Sequence, residues 1–408
     1  MAVVLVATLD TKGEELGEVR SVLTSAGLAS IVIDAGSAGQ PQISVDIARE
    51  RVFEAAAVQG FESLSRGEAV AKAATGVTSI VKQLYAEGRV DGILALGGSA
   101  GTTIGTSAMR ALPFGVPKVM ISTLASGQTR PFVGGSDLVL FPSVADVAGL
   151  NRLTRTVLRN AAWAMVGMVR GRAEPQSIAQ SDRPVITATM FGVTTPCVSH
   201  ARMELESWGY EVLVFHATGV GGQAMEGLVR DGMVSGILDL TTTEIADEVV
   251  GGVLSAGPDR LRAGARSGLP QVISVGALDM VNFGPMETVP EQFRGRLFHV
   301  HNANVTLMRT TPEENTAIGQ FLARALVESV GPTAVLIPRG GISALDAPGA
   351  PFYHPEANTA LFDAIRQGLS SRPDIALIER IEHINDPAFA SAAAATLRGW
   401  LSPTMRGA

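Results

Sequence analysis

From its first residues the chain alternates short apolar runs, each closed by a polar or glycine cluster, with longer stretches whose apolar residues recur every three or four positions. The first pattern reads as buried strands and the second as helices with one apolar face, so the chain predicts α/β units on mainly parallel strands. In the first half the strands are AVVLVATL, ASIVID, GILALGG, PKVMIS and DLVLFPS. The helices are KGEELGEVRSVLTSAG, GEAVAKAATGVTSIVKQLYAEG and DVAGLNRLTRTVLRNAAWAMVGMV. A polar stretch without periodicity, RGRAEPQSIAQSDRP, then interrupts; it reads as a linker from about Gly171 to Pro184.

The second half restates the first. VVLVAT is echoed by PVITAT, GLASIVIDAGSAG by GYEVLVFHATGVGG, VDGILALGG by VSGILDLTT, and GVPKVMIS by GLPQVISV. The last pair sets DLVLFPSVADVAGLNRL against RLFHVHNANVTLMRTTPEEN, in the same order with similar gaps. This is a duplicated domain, with boundaries at 1–175 and 183–408. An unmatched tail follows: strand TAVLIP, a glycine-containing loop, helix PEANTALFDAIRQGL, strand DIALIERIE and a last helix from Pro387. It should extend the second sheet. Ligands of open α/β sheets collect at the carboxyl ends of strands, so function is expected there and in a cleft between the domains.

Composition narrows the classes. With 46% hydrophobic and 17% charged residues over 408 positions, the chain can bury large cores. The 39 acids and 32 bases are interspersed, giving −7 with no dense basic run, which argues against nucleic acid as a partner. The opening apolar run meets Asp10 early and lacks a basic leader, so it reads as neither a signal peptide nor a membrane anchor. A single cysteine, Cys197, leaves no internal disulfide and suits a cytoplasmic location.

Candidate chemistry falls at strand ends. In ATLDTKGEEL, Asp10 and Thr11 sit where a helix N-cap is expected, and Lys12 follows at the positive end of the helix dipole. A bound phosphate would explain that lysine, with Thr11 beside it and Asp10 open to a hydroxyl or Mg²⁺; a side chain turned into solvent is the alternative. GILALGGSAGTTIGT places Gly97, Gly98 and Gly101 after a strand, with Ser99, Thr102 and Thr103 entering a helix. Glycines admit phosphate oxygens closely and hydroxyls add donors, although neither common glycine-loop fingerprint fits and a plain strand-to-helix turn would look the same. The second-half counterpart carries Glu244, Asp247 and Glu248 instead, which would repel phosphate unless a cation mediates. Asp34 ends the second strand, a position suited to ribose hydroxyls.

In the second half, MFGVTTPCVSHARMEL puts Cys197 at a helix start, where the dipole lowers a thiol's pKa, with His200 a turn away; a small buried hydrophobe is the alternative. His299 and His301 stand two apart on a strand, hence on one face, and could begin a metal site completed by Asp346, or could only order a loop. That loop, RGGISALDAPGAPFYHP, offers Arg339 between a strand and two glycines as a clamp for a carboxylate or phosphate. Weaker candidates are Ser122, Ser126, Gln128 and Arg130 after one strand, and Asp279 and Asn282 after another.

Taken together, ATLDTKGEEL, GGSAGTT, FGVTTPCV, ILDLTTTEIADE, GALDMVNFGP and LIPRGGISALDAPGAPFYHP resemble a widespread, largely uncharacterised bacterial and plant family, which includes the N-terminal ATP-binding region of a tomato mosaic virus resistance protein. The resemblance runs from Val3 to about Leu401. It implies two Rossmann-like domains with adenine nucleotide in the first, near Asp10, Lys12, Asp34 and Gly97 to Thr103. The leading expectation is an ATP-binding protein, with Mg²⁺ on Asp10, that acts on a small acidic metabolite through Lys12, Arg339, His301 and Cys197. A hydrolase or lyase built on Cys197 or on a His299, His301 and Asp346 metal is the second. A non-catalytic, nucleotide-dependent binding protein is the third. Apolar helices such as NAAWAMVGMV suit either a core or a homo-oligomer contact.

Overall fold

The computed structural model describes residues 1–127, 129–174 and 183–401, so Gln128 and most of the expected linker lie outside the described residues. The chain divides into two compact units, Met1–Ala179 and Gln180–Ala408. Unit 1 runs β1 (Ala2–Ala7), α1 (Leu9–Ser25), β2 (Ala29–Asp34), α2 (Arg49–Ala55), α3 (Arg66–Ala86), β3 (Gly92–Gly97), α4 (Ser99–Arg110), β4 (Lys118–Ser122), α5 (Arg130–Val133), β5 (Val139–Pro142) and α6 (Arg152–Ala173). Its five strands lie in the order β2-β1-β3-β4-β5, and every pairing is parallel.

Alternation along β1 decides both cores. Val3, Leu5 and Ala7 join the packing of α1 and α6 on one face, while Val4 and Val6 join that of α2, α3 and α4 on the other. The chain thus changes face between β1 and β3, the topological switch point at which ligands of such sheets bind. Register sets Ala7 beside Asp34 and Gly97 beside Ser122, so the strand ends form one rim.

Unit 2 runs β6 (Val185–Met190), α7 (Thr195–Ser207), β7 (Glu211–His216), α8 (Val220–Arg230), β8 (Gly236–Thr241), α9 (Thr243–Val250), α10 (Arg262–Ser267), β9 (Gln271–Gly276) and β10 (Met280–Phe283). It continues through β11 (Phe298–Asn302), β12 (Val305–Arg309), α11 (Pro312–Leu326), β13 (Thr333–Pro338), α12 (Pro355–Gly368), β14 (Ala376–Arg380) and α13 (Pro387–Trp400). The six-stranded sheet has the order β14-β13-β9-β8-β6-β7, all parallel, and a separate antiparallel sheet has the order β10-β12-β11.

Both units are therefore Rossmann-like, and four strands repeat as expected. The fifth does not. The place of β5 is taken by β13 from the tail, and the RLFHVHN strand matched to it in sequence is β11 of the antiparallel sheet. The helices follow suit: α6 packs with α1, and the helix that packs with α7 is α13, not α11. Sequence likeness misassigned these elements because a short apolar strand followed by an amphipathic helix fits either place. Among the described residues no helix is long and apolar enough to cross a membrane.

Candidate functional site

At the switch point of unit 1, α1 and α4 begin at the ends of neighbouring strands. The N-cap of α1 is Thr8, so Asp10 and Thr11 lie in the first turn and not at the cap. Lys12 departs from helical geometry, with φ −128° and ψ 15°, and its ammonium donates to the Val147 carbonyl. One turn on, buried Glu15 accepts from the Gly149 amide at 2.7 Å, so α1 ties down the loop after β5. A protein carbonyl already compensates the lysine, and its position does not require an anion.

Asp34 is buried and engaged at both oxygens. Oδ1 accepts from the Leu9 amide at 3.1 Å and from the Gly36 amide at 3.0 Å, and Oδ2 pairs with Arg49 at 2.8 Å. This carboxylate caps α1 and anchors the loop after β2, which removes it from the ribose role expected of it. Asp10 differs: its Oδ1 is buried without a hydrogen-bond partner. The loop reaches it through glycines, since a Cβ at Gly36 would stand 3.2 Å from that oxygen and one at Gly39, where φ is +63°, would stand 2.9 Å from Asp10 Cβ. A cleft of about 360 Å³ opens beside this loop, lined by Ser37, Gly39, Gln40, Arg49 and Phe61 among others.

At α4 the N-cap is Gly98, which supplies no side-chain acceptor, and Ser99 in the first turn is exposed. Gly97 and Gly101 are close-packed, a Cβ on Gly97 falling 2.9 Å from Gly101 Cα. The threonine hydroxyls are engaged within the chain. Thr102 is buried, donating to the Gly98 carbonyl at 2.8 Å and meeting Ser122 Oγ at 2.6 Å, and Thr103 donates to the Ser99 carbonyl at 3.0 Å. What remains open is Gly98, Ser99 and the uncapped amides of the first turn, a ready acceptor site for an anion.

In unit 2 the counterpart of the α1 start, the start of α7, is filled, and the counterpart of the α4 start, that of α9, is buried at Thr243 and Glu244 although Thr242 supplies no side-chain cap. Asn385, from the loop before α13, accepts from the Cys197 amide at 3.4 Å and donates to the Val193 carbonyl at 2.9 Å. His383 Nε2 meets the Ser343 carbonyl at 2.9 Å, and the Ala344 amide donates to the Val193 carbonyl at 3.0 Å. Burial pushes the Cys197 thiol up to about 12, against the lowering expected of the helix dipole, so its surroundings disfavour the thiolate a nucleophile needs. His200 is occupied with Glu204 and Ser391. The acids of α9 are structural: Glu244 accepts from the Gly219 and Gly222 amides and from Arg260, and Asp247 accepts from Asn282.

The histidine pair also fails as read. β11 carries a bulge between Val300 and Asn302, which breaks the two-residue alternation behind the same-face reading. His301 is exposed, whereas His299 meets Phe352 edge-on at 6.2 Å and Asp346 is fully buried. Among the described residues no three His, Cys, Asp or Glu side chains group as a metal would require. Arg339 is exposed and stands 3.9 Å from Glu379; its two glycines serve packing, since a Cβ on Gly341 would lie 1.8 Å from the Asp346 carbonyl oxygen.

Unit 2 does gather Asp279, Ser343, Asp346 and Arg309, which lie far apart in sequence, around one buried cluster. Ser343 Oγ donates to Asp279 Oδ2 at 2.7 Å, and Arg309 donates to the Phe352 carbonyl at 2.7 Å and to Asn358 Oδ1 at 2.9 Å. A second cluster escaped sequence reading. Arg260 is buried among three acids, bidentate to Asp239 at 2.5 and 2.9 Å, 2.8 Å from Glu244 and 3.5 Å from Glu226. Its signal was faint: an aspartate inside the apolar run GILDLTT must find a partner.

The chain matches, over residues 1–174 and 183–401, the N-terminal and C-terminal domains of the uncharacterised protein family UPF0261. It is 48% identical over 402 residues to a UPF0261 protein of Clostridium tetani, covering 97% of this chain and 98% of that one. It is 49% identical over 405 residues to one of Rhizobium meliloti, covering 98% and 99%. Against the ToMV susceptible protein tm-1(GCR26) of Solanum lycopersicum it is 47% identical over 329 residues, 80% of this chain but 44% of the tomato protein. The chain belongs to the UPF0261 family.

Proposed function

We propose, from the premise that this UPF0261 chain keeps one of its two switch points open, that unit 1 binds the phosphates of an adenine nucleotide between the starts of α1 and α4. One observation carries the reading: α4 begins at Gly98 without a side-chain cap, with Ser99 exposed, at the carboxyl end of a central strand. A phosphate there gains the free amides and the dipole of a 12-residue helix. Thr11 and Lys12 lie across the switch point on α1, and the ammonium retains donors beyond the one given to Val147. Asp10 is the carboxylate suited to Mg²⁺, which typically takes one or two protein carboxylates and completes its shell with phosphate and water. Its unpartnered Oδ1 supports that assignment.

The nucleotide would supply the phosphoryl group for transfer to a small acidic metabolite; the residues of this chain bind and orient the phosphates. The test is calorimetric titration of ATP, ADP and AMP with Mg²⁺ into the wild type, Lys12→Ala and Ser99→Asp. Affinity that rises with phosphate number and is lost in Ser99→Asp supports the reading. A wild type that binds none of the three refutes it.

A further inference from the structure

The buried cluster of unit 2 holds more negative charge than its arginine balances. Asp279 and Asp346 are both fully buried, and the nearest approach of Arg309 to Asp346 is 3.8 Å. The guanidinium is spent largely on neutral acceptors: the Phe352 and Asp279 carbonyls, the Thr310 hydroxyl and Asn358 Oδ1. One oxygen of each acid holds the loop after β13 or its helix. Asp279 Oδ2 accepts from Ser343 Oγ at 2.7 Å, and Asp346 Oδ2 accepts from the Ile342 amide at 3.0 Å and from Asn358 at 2.6 Å. The other oxygen of each, Oδ1, is buried without a hydrogen-bond partner, and so is Oδ1 of Asn315, whose amide donates to Thr310. Orphaned acceptors lack a donor, and two carboxylates in one low-dielectric site disfavour joint ionisation. A single proton removes one of the two charges and supplies a donor among these acceptors.

We propose that Asp279 holds a proton in its buried site beside Asp346, and that this proton is part of the clasp keeping residues 339–354 seated over the ends of β9 and β13. When the pair loses it to solvent, two anions share Arg309, repel each other, and weaken the grip on Ile342 and Ser343. Burial pushes Asp279 up to about 7, with Arg309 pulling down and the charge of Asp346 pushing up. The sign follows from a value raised above the ordinary 3.8: the seated loop gains most below about pH 4, and the gain is lost as pH climbs to about 7. The other charged and titratable groups near the pair are Arg309 from β12, which also reaches the His354 carbonyl, and His383, whose ring meets the Ser343 carbonyl; the His354 ring turns to the Ala357 amide and Glu356. Asp247 on α9, bonded to Asn282, is a further buried acid raised to about 7.

The test combines hydrogen exchange of the 342–346 amides between pH 5 and pH 8, corrected for intrinsic exchange, with the infrared signature of a buried protonated carboxyl. In the wild type, opening should rise by up to about tenfold per pH unit toward pH 7 and then level off, the limit for one linked proton. Asp279→Asn, which keeps a donor toward Asp346, should flatten that profile and remove one carboxyl signature. Asp346→Asn should shift the profile to lower pH, and His383→Gln and Asp247→Asn should leave it in place. A wild-type loop whose opening ignores pH over this range overturns the proposal. So does a slope that survives Asp279→Asn or disappears in His383→Gln.

Discussion

Units 1 and 2 share strand order around their switch points and differ in what lies on top. In unit 1 the loop after β5 is drawn toward α1 by Lys12 and Glu15, and the start of α4 stays bare. In unit 2 the tail adds β13, β14 and α13, and the connecting loops carry Ser343, His383 and Asn385 across the equivalent ends, where they cap and seal. Duplication preserved the scaffold, and loops decided which copy can receive a ligand. Charge agrees with this division. The sealed copy buries acids against Arg260 and Asn282, groups that would exclude a phosphate from its interior.

The largest expected effect lies on the sealed side. Arg260→Met leaves Asp239, Glu244 and Glu226 buried without their cation, and should lower unfolding free energy by roughly 3–5 kcal/mol at pH 8 in denaturant melts. Because burial raises Glu226 and Glu244, both take up protons as pH falls, so the deficit should shrink at pH 5. An equal loss at both pH values would show that these acids are not the cause.

Asn385→Ala sharpens the comparison at the seal itself. It removes the side chain that caps α7 at the Cys197 amide, and about 1 kcal/mol of stability should go with it. Thiol labelling is the informative readout. In the wild type a thiol pushed to about 12 should stay unreactive at pH 8 until the protein unfolds, and the variant should label faster.

The smallest expected effect on stability is on the open side. Ser99→Asp sets a carboxylate at the bare start of α4 and should stabilise the ligand-free protein by about 0.3–1 kcal/mol through the helix dipole. The same substitution should abolish nucleotide binding. Stability and affinity moving in opposite directions would mark this helix start as the phosphate site.

Much of this fold was legible because strand and helix periods rarely mimic each other over long runs. β1 to β4 and α1, α3 and α6 emerged from pattern alone, and so did β13 and β14. The antiparallel sheet did not: β11 reads as a strand but as a counterpart of β5, and β10 and β12 do not stand out, because short strands among turns carry no period long enough to count. Site residues were harder to read, since a polar residue at a strand end looks the same whether it meets a ligand or its own chain. Asp34 meets Arg49, Thr102 meets Ser122, and Lys12 meets Val147, each a tertiary partner that spacing does not reveal. Cys197 sat at a helix start as expected, yet depth of burial, invisible in one sequence, outweighs the dipole.

Hydrogen exchange with and without Mg²⁺ and ATP tests the central contrast most directly, because it reads both switch points in one sample. The account predicts slowed exchange at residues 8–13 and 97–103, and no change at residues 191–198 and 241–245. Slowing at the unit 2 segments, or at neither pair, would contradict it.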